Sequence, residues 1–254
     1  MSHIGKSAQE GCEGHVEKGI VASMKVSAIK TCIFKDGEDL MAFVHEHIPV
    51  LNEGSILVVA SKIVALAEGR TKKKVEGGEW KVDLIREESE WARQVLPKWW
   101  LTVRDGTVVV NAGIDESNAE ANPILLPEDS FASAQNLQKA LKSQYGISNL
   151  GIIITDSRIM PLRAGVVGVA LGYAGFKGVK DYRGTPDLFG RPMEVTQTNI
   201  ADSLATSATL LMGEGSESQP LAVIEEAPVV WTERLDRNEL KIPRDQDLFK
   251  HLFD

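Results

Sequence analysis

Cysteine is nearly missing from this 254-residue chain: Cys12 and Cys32 are the only two, far apart and in no C-x-x-C spacing. A disulfide framework and a thiolate zinc site are thereby excluded, and a reducing, cytoplasmic compartment is expected. Histidine is almost as sparse. His3, His15 and His251 lie near the ends, while His45 and His47 stand two apart on one predicted helix, where residues do not share a face. The central chain therefore has little material for a serine-type triad or a histidine-rich zinc site. Long apolar runs are also lacking. Those at 150–154 and 164–176 are short or broken by glycine and Arg163, well below the ~20 residues a membrane helix needs. No membrane partner is expected. Positive charge is in deficit, with 28 Lys and Arg against 36 Asp and Glu and a net charge of -8, which argues against a nucleic-acid partner. The one dense basic run, Arg70 with Lys72, Lys73 and Lys74, reads as a solvated loop or strand end. Neither G-x-x-x-x-G-K-[ST] nor a strand-linked G-x-G-x-x-G occurs, so a P-loop and a Rossmann site are unsupported.

What is present is an ordinary folded composition, 43% hydrophobic and 25% charged, which sets the chain among globular proteins. Residues 1–23, rich in Gly, Ser, Glu and Lys, read as a disordered leader or cloning remnant, with Met24 a natural start. A catalytic region is expected over 24–231 and a charged C-terminal extension over 232–254, ending in a terminal helix. Leu40, Phe43, Val44 and Ile48 recur at helical spacing after acidic Glu38-Asp39. "SILVVA" at 55–60 reads as a buried strand ending at Ser61-Lys62. A second helix is predicted over 82–95, stopped by Pro97. Residues 99–104 and 107–111, joined by Asp105-Gly106, predict a hairpin. A helix from Ser130 to about Tyr145 ends at Gly146, where a left-handed cap belongs. "LGIIITDS" at 150–157 is a buried strand carrying polar residues at its C-terminal end. Ile200, Leu204, Ala208 and Leu211 give a helix stopping at Gly213, and "LAVIE" is the last core strand. Hairpin plus helix–strand alternation favours an α+β fold with mixed sheets.

Chemistry concentrates at element ends. Asp115 follows "VVVNAGI", Asp156 follows "GIIIT", and Glu214 lies in a glycine-bearing loop after a helix. Hard divalent ions such as Mg²⁺ or Mn²⁺ select such oxygen ligands, and Ser157 adds a hydroxyl. Asp115 and Asp156 read equally well as turn caps, a frequent use of aspartate. The loop 212–219 carries Gly213, Gly215, Ser216 and Ser218, a composition that lets backbone amides approach an anion.

The order of "GSILVVASKIVALAEGR", "NAGIDESN", "LPEDS", "IIITDS", "GVALGYAGFKGVKDYRGTPDLFG" and "ADSLATSATLLMGEGSE" resembles the coenzyme F420-0:γ-glutamyl ligase family over roughly residues 37–225. The resemblance implies an unusual α+β fold, an intertwined homodimer, two divalent ions and GTP. It further implies that Asp115, Asp156 and Ser157 are metal ligands, with Glu214 at a metal-ligand position. Asn118, Ser61, Lys62 and the loop residues Met212, Gly213, Gly215 and Ser216 would contact the nucleotide. Asp156 would be central to catalysis, with Arg163 of "PLRAG" touching an anionic substrate; a structural ion pair is the plain alternative for Arg163.

The implied reaction phosphorylates a substrate carboxylate and lets L-glutamate attack the acyl phosphate. Three departures are visible: Leu66 stands where many members carry lysine, "AIKTCIFKDGEDL" replaces a Pro-containing run, and "TDSRIMPLRAG" lacks the Gly-Arg-Pro that often follows TD. They surround the nucleotide and the acceptor, which is an anionic heterocycle: the deazaflavin precursor F420-0 or a folate-type pterin. A non-catalytic nucleotide-binding homologue and a metal-dependent phosphatase are the readings from other classes.

Overall fold

In the computed structural model, residues 23–74, 79–116 and 122–253 are described. In chain order the elements are β1 (Lys25–Ile29), α1 (Leu40–His47), β2 (Ser55–Ala60), α2 (Ser61–Ala67), α3 (Trp80–Glu87), β3 (Trp91–Leu96), β4 (Trp99–Arg104) and β5 (Thr107–Val110). Then follow α4 (Ser130–Tyr145), β6 (Leu150–Ile159), β7 (Val166–Ala174), β8 (Val179–Asp181), β9 (Gln197–Asn199), α5 (Ile200–Met212) and β10 (Leu221–Glu225). The fold is α+β with mixed sheets, as the sequence predicts.

The central sheet has the order β1-β10-β2-β6-β7. Only β2 and β6 run parallel in it; the other neighbours are antiparallel. Every residue of β2 but the last is buried, the pattern of a strand covered on both faces. One face packs Leu57, Val59, Ile152 and Ile154 against α1, α2 and α4, and the other packs Ile56, Val58 and Ile153 against α5. On β7, Ala170 pairs with Thr155 and Gly172 with Ile154, so Leu171 is an extra residue. This bulge turns β7 so that Gly168 lies under α5 and Gly172 under the first turn of α4.

Local signals account for the helix ends. The Asp129 side chain accepts the Ala132 amide at the start of α4, and Gly146 closes it at φ 68°. Asp105 and Gly106, both at positive φ, make the tight turn between β4 and β5.

Two sequence expectations fail. The helix predicted over 82–95 stops at Glu87, and Trp91–Leu96 instead pairs antiparallel with β4. Trp91 and Val95 fit either period, and pairing within the three-stranded sheet β3-β4-β5 decides between them. The terminal helix is replaced by short 3-10 turns at Arg244–Gln246 and Lys250–Phe253. This tail is nonetheless docked. The Glu239 carboxylate accepts from the Tyr173 hydroxyl and the Gly178 amide, both at 2.7 Å, and Phe253 stacks edge-on against Trp91. The expected leader lies outside the described residues, apart from Ser23.

Candidate functional site

A cleft of about 620 Å³ opens where the parallel pairing of β2 and β6 ends, at Ala60 and Thr155, the edge at which ligands bind in open α/β sheets. Its walls come from Thr31–Phe34, the start of α2, the end of the buried part of β6, the last turn of α5 and the loop 213–220. Alternation along β6 divides the polar side chains. Thr155 lies 3.5 Å from Thr209 on α5, and the Ser157 hydroxyl donates to Glu214 at 2.5 Å. Asp156 turns to the opposite side, where the Ser61 hydroxyl donates to its Oδ1 at 3.3 Å.

The sequence-predicted residues largely converge. Ser61, Lys62, Asp115, Asp156, Ser157, Met212, Gly213, Glu214, Gly215 and Ser216 all line this cleft. Lys62 Nζ sits 2.6 Å from an Asp115 oxygen, and Asp115 is held by a backbone bridge to Ile124. Leu66 also lines the cleft. One expected residue, Arg163, does not join: it is exposed in the turn between β6 and β7 and is not among the lining residues. Asn118 lies outside the described residues. The basic run is partly structural: Arg70 pairs with Glu88 at 2.6 Å, and Lys72 lies 3.7 Å from Glu87.

The glycine-bearing loop does curl around an anion, but an internal one. The Gly215 amide donates to Glu217 at 2.8 Å. A Cβ on Gly213, whose φ is 79°, would fall 2.4 Å from the Glu217 carboxyl carbon. Sequence reading overlooked Glu217 and also Arg158. Arg158 is 6% exposed and pairs with Asp156. Burial first, and then the charge of Arg104, lower its pKa to about 10. A charged residue two positions after Asp156 on the same strand was the available signal for it.

Among the described residues no three acidic, histidine or cysteine side chains converge closely enough to enclose a cation by themselves. The cleft nonetheless gathers oxygen donors from Asp115, Asp156, Ser157 and Glu214. Such a set suits a hard cation that takes its remaining ligands from phosphate and water. Among the described residues no helix is long and apolar enough to cross a membrane.

The family described as F420-0:Gamma-glutamyl ligase matches residues 28–226. The chain is similar to the coenzyme F420:L-glutamate ligase of Archaeoglobus fulgidus, at 36% identity over 76% of this chain and 83% of that protein. It is 37% identical to the Methanopyrus kandleri protein of that name, over 74% of this chain and 81% of the relative. The Methanosarcina acetivorans protein is 35% identical over 89% of this chain and 96% of its own length. The chain therefore belongs to the F420-0:gamma-glutamyl ligase family of amide-forming ligases.

Proposed function

We propose that the protein is a GTP-dependent γ-glutamyl ligase that activates an acceptor carboxylate as an acyl phosphate and joins it to L-glutamate, with coenzyme F420-0 as acceptor. One observation carries this reading: the residues expected to contact nucleotide or metal, from Ser61 and Lys62 through Asp115, Asp156 and Ser157 to the 212–216 loop, share one cleft where the parallel pairing of β2 and β6 ends.

In this reading Asp115, Asp156, Ser157 and Glu214 hold two Mg²⁺ or Mn²⁺ ions. Bound there, the ions neutralise charge on the transferring phosphoryl group. The chain itself does the positioning. Ser61, Lys62, Met212 and the amides of Gly213, Gly215 and Ser216 receive the nucleotide, and Asn118 contacts it from the segment after Asp115. Glu217 must leave the Gly215 amide before a phosphate oxygen can take its place. Lys62 faces the Asp115 carboxylate at 2.6 Å, and its flexible stem would let its ammonium reach a phosphate at the cleft. The acceptor carboxylate then attacks the terminal phosphorus and GDP leaves. The glutamate amine displaces phosphate from the acyl phosphate and forms the amide.

Arg163 contacts the anionic acceptor in this reading. Its turn is not among the cleft-lining residues, and a homodimer would bring it to the cleft of a second protomer. Leu162, Leu188, Phe189 and Val195 are more than four-fifths exposed, which supports a homodimer that covers some of them. Light scattering that returns the mass of one chain would remove the dimer from this reading.

The direct test is phosphate release from GTP with Mn²⁺ or Mg²⁺, in the presence of F420-0, with and without L-glutamate. Release that needs acceptor and glutamate is expected. Asp156→Asn should lower kcat/KM by roughly 100-fold or more, the scale for removing a charge-stabilising group. Unchanged turnover in that variant would reject the site, and turnover indifferent to glutamate would reject the ligase in favour of a phosphatase.

A further inference from the structure

Arg158 is not explained by the roles assigned above. At the far end of β6 its Nη1 pairs with Asp156 Oδ2 and donates to the Ser157 carbonyl at 3.0 Å. Its Nε and Nη2 are buried without a hydrogen-bond partner among the described residues. A guanidinium held this way is costly, because the unmade hydrogen bonds forfeit its hydration. Stability is a weak reason for keeping it, since whole buried ion pairs are often replaced by apolar residues without loss. What it does control is the carboxylate beside it. Oδ2 of Asp156 is committed to Arg158, and Oδ1 faces Ser61 at 3.3 Å on the cleft side.

The two aspartates of the cleft are thus countered by cations of different kinds. Asp115 faces Lys62, whose side chain is 29% exposed on a flexible stem. Asp156 faces an arginine 6% exposed and wedged within the fold. Lysine can swing away when a cation arrives; the buried arginine cannot.

Resting on the reading of Asp156 as a cation ligand, we infer that Arg158 is the resident counter-charge of the metal site. It restricts Asp156 to one presented oxygen, Oδ1, and its positive charge opposes a divalent cation that enters without nucleotide phosphates. The cation is therefore loaded together with the nucleotide rather than ahead of it. Arg158 acts through Asp156, as a positioning residue.

The test titrates Mn²⁺ into the full-length protein, reading free Mn²⁺ by electron paramagnetic resonance, with and without a non-hydrolysable GTP analogue. Without nucleotide, Arg158→Met should bind Mn²⁺ roughly tenfold tighter than the unaltered protein, while Arg158→Lys, which keeps the charge, stays within about threefold. With the analogue present the gap should narrow. Arg158→Gln replaces Arg158→Met if the latter fails to fold, and the same tightening is expected of it. Metal affinity in the uncharged variants that is equal to or weaker than that of the unaltered protein would overturn the inference and leave the ligase reading standing. An unaltered protein that takes up no Mn²⁺ even with the analogue would overturn both.

Discussion

Single residues decide how closely the layers approach around the cleft. Gly172 lies beneath the start of α4, where a Cβ would fall 2.3 Å from the Ser130 carbonyl carbon and 2.6 Å from the Phe131 amide nitrogen. These are backbone atoms of a buried helix start and cannot swing aside as a side chain could. Gly172→Ala should therefore destabilise the protein by about 1–3 kcal/mol, the usual cost of overpacking. Chemical denaturation would show it, and a midpoint equal to that of the unaltered protein would mean that α4 yields freely. Residue by residue, the polar positions were legible because each follows an apolar run: Asp156 after "GIIIT" and Glu214 after α5 stand where strand or helix gives way to cleft. Their pairings were not legible. That Lys62 meets Asp115, or that Asp156 is gripped by Arg158, depends on which strands become neighbours. Arg163 shows the converse, since a motif position alone did not reveal that its turn stands away from the cleft.

At the scale of elements, capping explains why α4 was predicted to within a residue. Asp129 receives the Ala132 amide at 2.9 Å and also pairs with Arg237 of the tail at 2.7 Å. Burial pushes its carboxyl up, but these hydrogen bonds and the Arg237 charge together hold it below the ordinary aspartate value. A carboxyl depressed in the folded state contributes stability above its unfolded value, near pH 4, and loses that contribution as pH falls through the folded value. Asp129→Ala should cost about 1 kcal/mol at neutral pH, most of it from the lost cap. The ion pair, 40% exposed at Asp129, adds only a few tenths of that at most. The deficit should shrink below about pH 4, and a deficit constant across that range would show that the charged form of Asp129 is not what stabilises α4. The stretch 91–96 escaped the sequence for the opposite reason. It has no cap or glycine stop to fix a helix, and its conformation is set by its pairing with β4.

Across the whole molecule, the parallel pair β2/β6 and the loop after α5 bring four separated segments to one cleft, around Ser61, Asp115, Asp156 and Glu214. The layered α+β plan was legible from alternating periods. The docking of the tail was not, because it rests on isolated contacts such as Glu239 to Tyr173 rather than on a periodic pattern. Leu66 lines the cleft itself, and the segment after Asp156 leads into the exposed turn that carries Arg163. Ligation itself is tested most directly by the mass of the product formed from F420-0, GTP, L-glutamate and Mn²⁺, with a reduced folate as the parallel acceptor. A gain of one or more glutamyl residues on F420-0, absent when GTP or glutamate is withheld, is the predicted result. GTP consumed with neither acceptor gaining a glutamyl residue would contradict it.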